Sequence, residues 1–204
     1  MSKNRKSGDN MNEMSPIHRE IIERLEENTR VIKAIVDSNI SDIENMVRLV
    51  ITALNAGGKV VLFGNGGSAS DAQHIAGELV GKFMVERKAL PAIALTTNTS
   101  ILTAIGNDSG YEVTFSRQVE ALVNRGDVVI GISTSGNSPN VTEAIKTAKM
   151  KGASTIGLTG GNGGKLAEVV DLVLKVPSHI TPRIQEAHIT IGHIVCELVE
   201  KELA

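Results

Sequence analysis

Tryptophan is absent from these 204 residues, and aromatic side chains make up only 2%: Phe63, Phe83, Phe115 and Tyr111. That leaves no platform for stacking bases, and no pair of rings to clamp a large planar cofactor. Cysteine occurs once, at Cys196 within an apolar helical pattern, so an internal disulfide is excluded and a buried, unreactive thiol in a reducing compartment is expected. No apolar run approaches the roughly 18 residues needed to cross a bilayer. Charge of one sign is lacking too. The formal net charge of -2 provides no attraction to nucleic acid or a membrane surface. Residues 1–14 are polar, carry no apolar stretch and resemble neither a secretory signal nor an anchor, so they are expected to form a disordered tail. A soluble, cytoplasmic protein is the expectation, with residues 15–204 forming a single domain.

Two periodicities divide the rest of the chain. From Ser15 onward Ile17, Ile21, Leu25, Ile32 and Ile35 recur at helical spacing, with Ser15 and Pro16 as cap and first-turn residue. A second helix is expected from about Ser41 to Ala56, ended by "NAGGK". Thereafter short, nearly continuous apolar runs alternate with helical or mixed stretches: "KVVLF" (59–63), "PAIAL" (91–95), "DVVIGI" (127–132), "STIGL" (154–158) and "DLVLKV" (171–176). Runs apolar on both faces mark strands of a parallel sheet covered by helices on both sides. The expected fold is therefore α/β: a five-stranded parallel sheet sandwiched by helices, preceded by two N-terminal helices.

Ligands of such sheets bind beyond the carboxyl ends of the strands. Those ends read "GNGGS", "TTNTS", "STSGNS" and "TGGNGG". In the first, Gly64, Gly66 and Gly67 permit close approach of backbone amides, and Ser68 stands where an N-cap belongs, with Asp71 three residues on. A helix starting there aims free N–H groups and the positive end of its dipole at the loop, which suits an anion. The third offers the hydroxyls of Ser133, Thr134, Ser135 and Ser138, a turn at Gly136, and Pro139 to start the next helix. Each loop alone could be an ordinary strand-to-helix turn; together they favour a phosphate. "GNGGSA" formally fits a dinucleotide fingerprint, but the following strand ends in "ALTTNTS" without the carboxylate that would hold a ribose. No Gly-Lys-Ser/Thr follows the glycines either, so nucleotides are disfavoured.

His74 and Glu78, four residues apart on the helix after the first loop, share one face. One turn past a phosphate-holding terminus would suit a base acting on the attached carbon chain, although such a pair can equally be a solvated one. Residues 181–203 should form the last helix. There Gln185, Gly192 and His193 fall roughly on one side, while His188 projects elsewhere and is expected at a surface or interface.

"GNGGSASDAQHIAGEL", "TAIGND", "GISTSGNSPN" and "RIQEAHITIGH" resemble, in order and at ordinary spacing, the motifs of the phosphoheptose isomerase family within the sugar-isomerase (SIS) domain superfamily. The resemblance implies a flavodoxin-like SIS domain over 15–204. It implies isomerisation of sedoheptulose 7-phosphate to D-glycero-D-manno-heptose 7-phosphate through an enediol, the first step of ADP/GDP-heptose biosynthesis. It assigns Glu78 as catalytic base and His193 as acid. It places substrate contacts on Asn65, Gly66, Gly67, Ser68, Glu78, Asn107, Asp108, Ser133, Thr134, Ser135, Ser138 and Gln185. It implies a zinc ion on His74, Glu78, Gln185 and His193, no nucleotide cofactor, and a homotetramer with active sites between subunits. Gln185 and His193 are separated by about 12 Å along a continuous helix, so their meeting at one metal needs a distorted helix, a late start or two subunits. Two residues depart from the pattern. Asn98 stands where relatives often place Asp, and Pro182 where some do. A non-catalytic SIS-domain sugar-phosphate sensor, or a regulator such as the replication-initiator-binding relative, is the alternative; that relative lacks the Glu and the last His.

Overall fold

The computed structural model describes residues 15–204, so the expected tail at 1–14 lies outside the described residues. Two helices come first: α1 (Pro16–Ser38), whose Ser15 hydroxyl accepts from the His18 N–H at 3.2 Å, and α2 (Ile40–Asn55). Five strands follow, β1 (Val60–Gly64), β2 (Ala92–Ala94), β3 (Val128–Ser133), β4 (Ser154–Gly160) and β5 (Leu172–Val176). Between and after them run α3 (Gly67–Val80), α4 (Thr99–Ser109), α5 (Thr114–Leu122), α6 (Pro139–Met150) and α7 (Thr181–Leu203). All strand pairs are parallel, in the order β2-β1-β3-β4-β5. This is the flavodoxin-like winding, with its switch point between β1 and β3.

Alternation along the strands divides the core between two faces. Val60, Leu62, Val128, Ile130 and Ile132 pack with α2, α3 and α7, whereas Val61, Phe63 and Val129 pack with α5 and α6. Every residue of β1 and β3 is buried, which is why those runs read as continuously apolar. Gly131 lets α6 come close, because a Cβ there would sit 3.0 Å from Val141 and 3.2 Å from Ile145.

The expected stripe on α1 is only half used within the chain. Val31 and Ile35 enter the core and Ile32 packs at its edge, but Ile17, Ile21 and Leu25 are 72%, 55% and 64% exposed. His188 also differs from expectation. It is fully buried, its Nε2 lies 3.1 Å from the Thr159 carbonyl, and burial pushes its pKa down to about 4 despite that bond. Helical spacing could not reveal this, because α7 buries a broad face that includes Ile184, Ala187, Ile191 and Val195.

Candidate active site

At the carboxyl edge of the sheet the first loop turns without a side-chain cap. Gly66 adopts φ +56 and is the N-cap residue, so α3 begins at Gly67. Ser68 is therefore not the cap expected from sequence. It is buried in the first turn, and a Cβ on Gly64 would lie 2.7 Å from its own Cβ. Asn65 forms a reciprocal amide pair with the buried Asn140 of α6, both bonds at 2.9 Å, and accepts from the Tyr111 hydroxyl at 2.9 Å. That pair ties the first loop to the second. Sequence reasoning passed over Asn140 and Tyr111, although "SPN" after the second loop placed an amide at the right helix start.

In the second loop the Ser133 and Ser138 hydroxyls lie 2.9 Å apart, and the Ser135 hydroxyl accepts from the Asn137 N–H at 3.1 Å. The Thr134 carbonyl accepts from Gly160 N–H at 3.0 Å. A pocket of about 230 Å³ opens beside Thr134 and Ser135, lined also by Gly160, Gly161, Ser178, His179 and Thr181. Asn107 and Asp108 sit exposed at the end of α4, the Asn107 amide donating to the Asp108 carboxylate at 2.7 Å. Asn98 and Pro182 each start a helix. The Asn98 side chain accepts from Ile101 N–H at 3.1 Å to cap α4, and Pro182 occupies the first turn of α7, where an N–H is dispensable.

The side chains with acid–base chemistry gather in the seam between α3 and α7. His74 Nε2 lies 3.1 Å from Glu78 Oε1 and 3.1 Å from His193 Nε2. One donor atom of each of the three residues falls within 4.8 Å of the others. A single imidazole hydrogen on His74 cannot serve both neighbours well, whereas converging lone pairs suit a cation. Ligands held about 2.0–2.2 Å from a tetrahedral zinc stand about 3.3 Å apart, close to the two distances observed. Gln185 is elsewhere: α7 runs unbroken through it, and a Cβ on Gly67 would come within 2.3 Å of its Nε2. It leans on the first loop. Asp71, which sequence noted only as a capping partner, has a buried Oδ2 without a hydrogen-bond partner. Burial raises its pKa to about 6, with His74 pulling the other way.

The distance along α3 also needs correction. His74 and Glu78 stand seven and eleven residues beyond Gly67, about 10 and 16 Å along the axis, not one turn.

The SIS domain family model matches residues 25–160. Phosphoheptose isomerases from Geobacter sulfurreducens and Aquifex aeolicus are 55% and 58% identical over 184 and 175 residues. Those alignments span 90% and 86% of this chain, and 97% and 92% of the relatives. The chain belongs to the phosphoheptose isomerase family of SIS-domain proteins. The solved phosphoheptose isomerase of Neisseria gonorrhoeae superposes with a TM-score of 0.86 at 42% identity, covering 91% of this chain and 99% of that one. The expected fold class and family hold. Among the described residues no helix is long and apolar enough to cross a membrane.

Proposed function

We propose that the chain is an aldose–ketose isomerase that interconverts sedoheptulose 7-phosphate and D-glycero-D-manno-heptose 7-phosphate, feeding heptose biosynthesis. The observation that carries this reading is the convergence of His74, Glu78 and His193 in a seam whose helices both begin at the phosphate-suited edge. Glu78 takes a proton from the carbon beside the carbonyl and returns it to the neighbouring carbon. His193 supplies and recovers the proton on oxygen as the enediol forms and collapses. The amides of Gly66, Gly67 and Ser68 and the hydroxyls of Ser133, Thr134, Ser135 and Ser138 hold the phosphate. Asn65, Asn107, Asp108 and Gln185 address the sugar hydroxyls.

The three convergent donors fit a zinc ion of the open, catalytic type, with a position left for substrate. Bound there, zinc would polarise the carbonyl and stabilise the enediolate. Glu78 has two carboxylate oxygens and His193 two ring nitrogens, so each can hold zinc with one atom and keep the other for proton transfer. Within one chain Gln185 stays with the phosphate loop.

The active site is shared between subunits of a homotetramer. An extended seven-carbon phosphate ester measures about 10 Å from phosphorus to C1, because each staggered bond of about 1.5 Å advances the zigzag by only about 1.3 Å. Glu78 lies about 16 Å from the start of α3, and the anion sits beyond that start. Even with the side chain leaning back toward the N-terminus, one sugar falls short of both, so loop and carboxylate come from different copies. The exposed apolar faces of Ile17, Ile21 and Leu25 on α1, and of Ile194 and Leu198 on α7, supply surface for assembly.

The test is to incubate purified protein with ketose phosphates of five to seven carbons, follow aldose formation, and measure bound zinc and sedimentation in parallel. The heptose should turn over fastest. If no aldose appears from sedoheptulose 7-phosphate, the reading fails. At substrate concentrations well below the raised KM of Ser135→Ala, mixed tetramers of Glu78→Gln and Ser135→Ala subunits should turn over faster than either parent.

A further inference from the structure

Beyond α3 the chain makes a tight excursion over residues 81–90, and one carboxylate at the far end of α7 organises it. Glu200 is 1% exposed. It accepts the backbone N–H groups of Phe83, Met84 and Val85 at 2.8, 2.6 and 3.1 Å. Arg87, equally buried, brings its Nε to 3.1 Å from Glu200 Oε1. The same guanidinium donates through Nη1 to the carbonyls of Leu79, Gly81 and Lys88, and through Nη2 to the carbonyl of Glu78, at 2.9, 3.2, 2.9 and 2.9 Å. Glu78 and Leu79 lie in the last turn of α3, whose carbonyls a helix end leaves unpaired, Gly81 is its C-cap, and Lys88 belongs to the excursion itself. Phe83, seated by the first of the Glu200 bonds, places its ring 5.4 Å from the His193 imidazole, tilted by 38°.

We infer that the buried Arg87–Glu200 pair is a positioning device for the reaction: it clamps the end of α3 that carries Glu78 to the helix that carries His193 and presses Phe83 against the His193 ring. This rests on the acid–base roles proposed above. Stability alone is a poor reason for such a pair. Removing two charges from water is costly, and apolar residues of similar volume often serve as well or better. What an apolar pair could not do is bond three consecutive N–H groups and four carbonyls at once, and so fix the segment between the two reacting helices. The Glu78 backbone is touched directly, at its carbonyl; His193 is reached through Phe83. Arg87, Glu200 and Phe83 are positioning residues, since none touches the reacting atoms.

A double-mutant cycle on the full chain separates this role from simple anchoring of a loop. Glu200→Gln and Phe83→Leu should each lower kcat about tenfold, equivalent to about 1.4 kcal/mol, with KM within twofold. The double variant should lose little more than the worse single one, because both act on the same ring. In spectra of protein labelled at histidine, the His193 ring signals should move in both single variants while those of the exposed His179 stay put. Arg87→Lys keeps the charge but loses most of the carbonyl contacts, and should reproduce the kcat loss; it also substitutes if Glu200→Gln does not fold. Independent, additive kcat losses, or a lower melting temperature with unchanged kcat and an unmoved His193 signal, would overturn the inference. Failure of the wild-type chain to turn over sedoheptulose 7-phosphate counts against the function proposed above. In that event the His193 signals alone decide: movement in Glu200→Gln upholds the clamp, and none refutes it.

Discussion

The loops at the carboxyl edge of the sheet and the seam farther along α3 and α7 share two helices but are made of different materials. The loops are backbone and neutral side chains: Gly66 at positive φ, the Asn65–Asn140 amide pair, the Ser133–Ser138 hydroxyls. The seam holds His74, Glu78, His193 and the Arg87–Glu200 pair. Fixed dipoles grip an anion at every working pH without titrating themselves, while proton transfer needs groups that do titrate. Binding and chemistry are therefore separable by mutation. Loop variants should move KM and stability, and seam variants kcat and pH dependence.

The sharpest way to break that separation is Glu78→Gln. The amide keeps size and hydrogen bonding but cannot accept a proton from carbon. kcat should fall by about 10²–10⁴-fold with the circular dichroism spectrum and oligomer size unchanged. Wild-type turnover in this variant would remove the base from the seam and end the assignment.

His188 belongs to the same helix but to its structural side, and a change there should move stability and leave the chemistry alone. It is held neutral in the fold, with its pKa at about 4 against 6.5 ordinarily, because burial disfavours the cation. The unfolded chain binds the proton first as pH falls. The stability contributed by the neutral ring is thus fully present above about pH 6.5 and lost on the way down to about pH 4, roughly 3 kcal/mol in all. Urea unfolding of the wild type should show this loss. His188→Gln should be less stable at neutral pH, flatter across that window, and near wild type in kcat.

A substitution in the loops should act differently. Gly136 has φ +66, and a Cβ there would lie 1.9 Å from the Gly163 carbonyl oxygen, a backbone atom with no freedom to move aside. Gly136→Ala should cost about 1–3 kcal/mol and raise KM for the sugar phosphate, leaving kcat within a fewfold. A large kcat loss with unchanged KM would mean that loop and seam are not separable.

The same division governs what could be read from sequence. All five strands fell close to their apolar runs, because burial on both faces leaves a continuous run, and α7 runs from Thr181 to Leu203 as its pattern indicated, because burial on one face leaves a period. The loops were legible as loops from their glycines and hydroxyls. Their internal bonding was not: Ser68 offered a plausible cap, but Gly66 turns the chain earlier and buries the serine. His74 and Glu78 announced themselves by spacing, and the last His through family resemblance. The Arg87–Glu200 pair could not be found, since its members are 113 residues apart and a glutamate near a helix end looks like any solvated charge. The half-exposed stripe of α1 misled for a related reason, as periodicity shows that a face is apolar but not which surface covers it.

The mildest change asks whether a departure from the family pattern belongs to the loops' binding role at all. Asn98 accepts from Ile101 N–H and caps α4. Asn98→Ala should remove about 1 kcal/mol of stability. Asn98→Asp restores the acceptor and adds a charge that a helix N-terminus favours, so its unfolding free energy should match or slightly exceed the parent's, by about 0.3–1 kcal/mol. If Asn98 is a cap and nothing more, KM stays within twofold in both variants, and the loop edge keeps its anion site elsewhere, on Gly66–Ser68 and Ser133–Ser138. A tenfold change in KM on Asn98→Asp alone would instead put position 98 in contact with substrate. A carboxylate would then share the edge with the phosphate, and the contrast between a neutral binding edge and a seam of acid–base side chains would have to be redrawn around it.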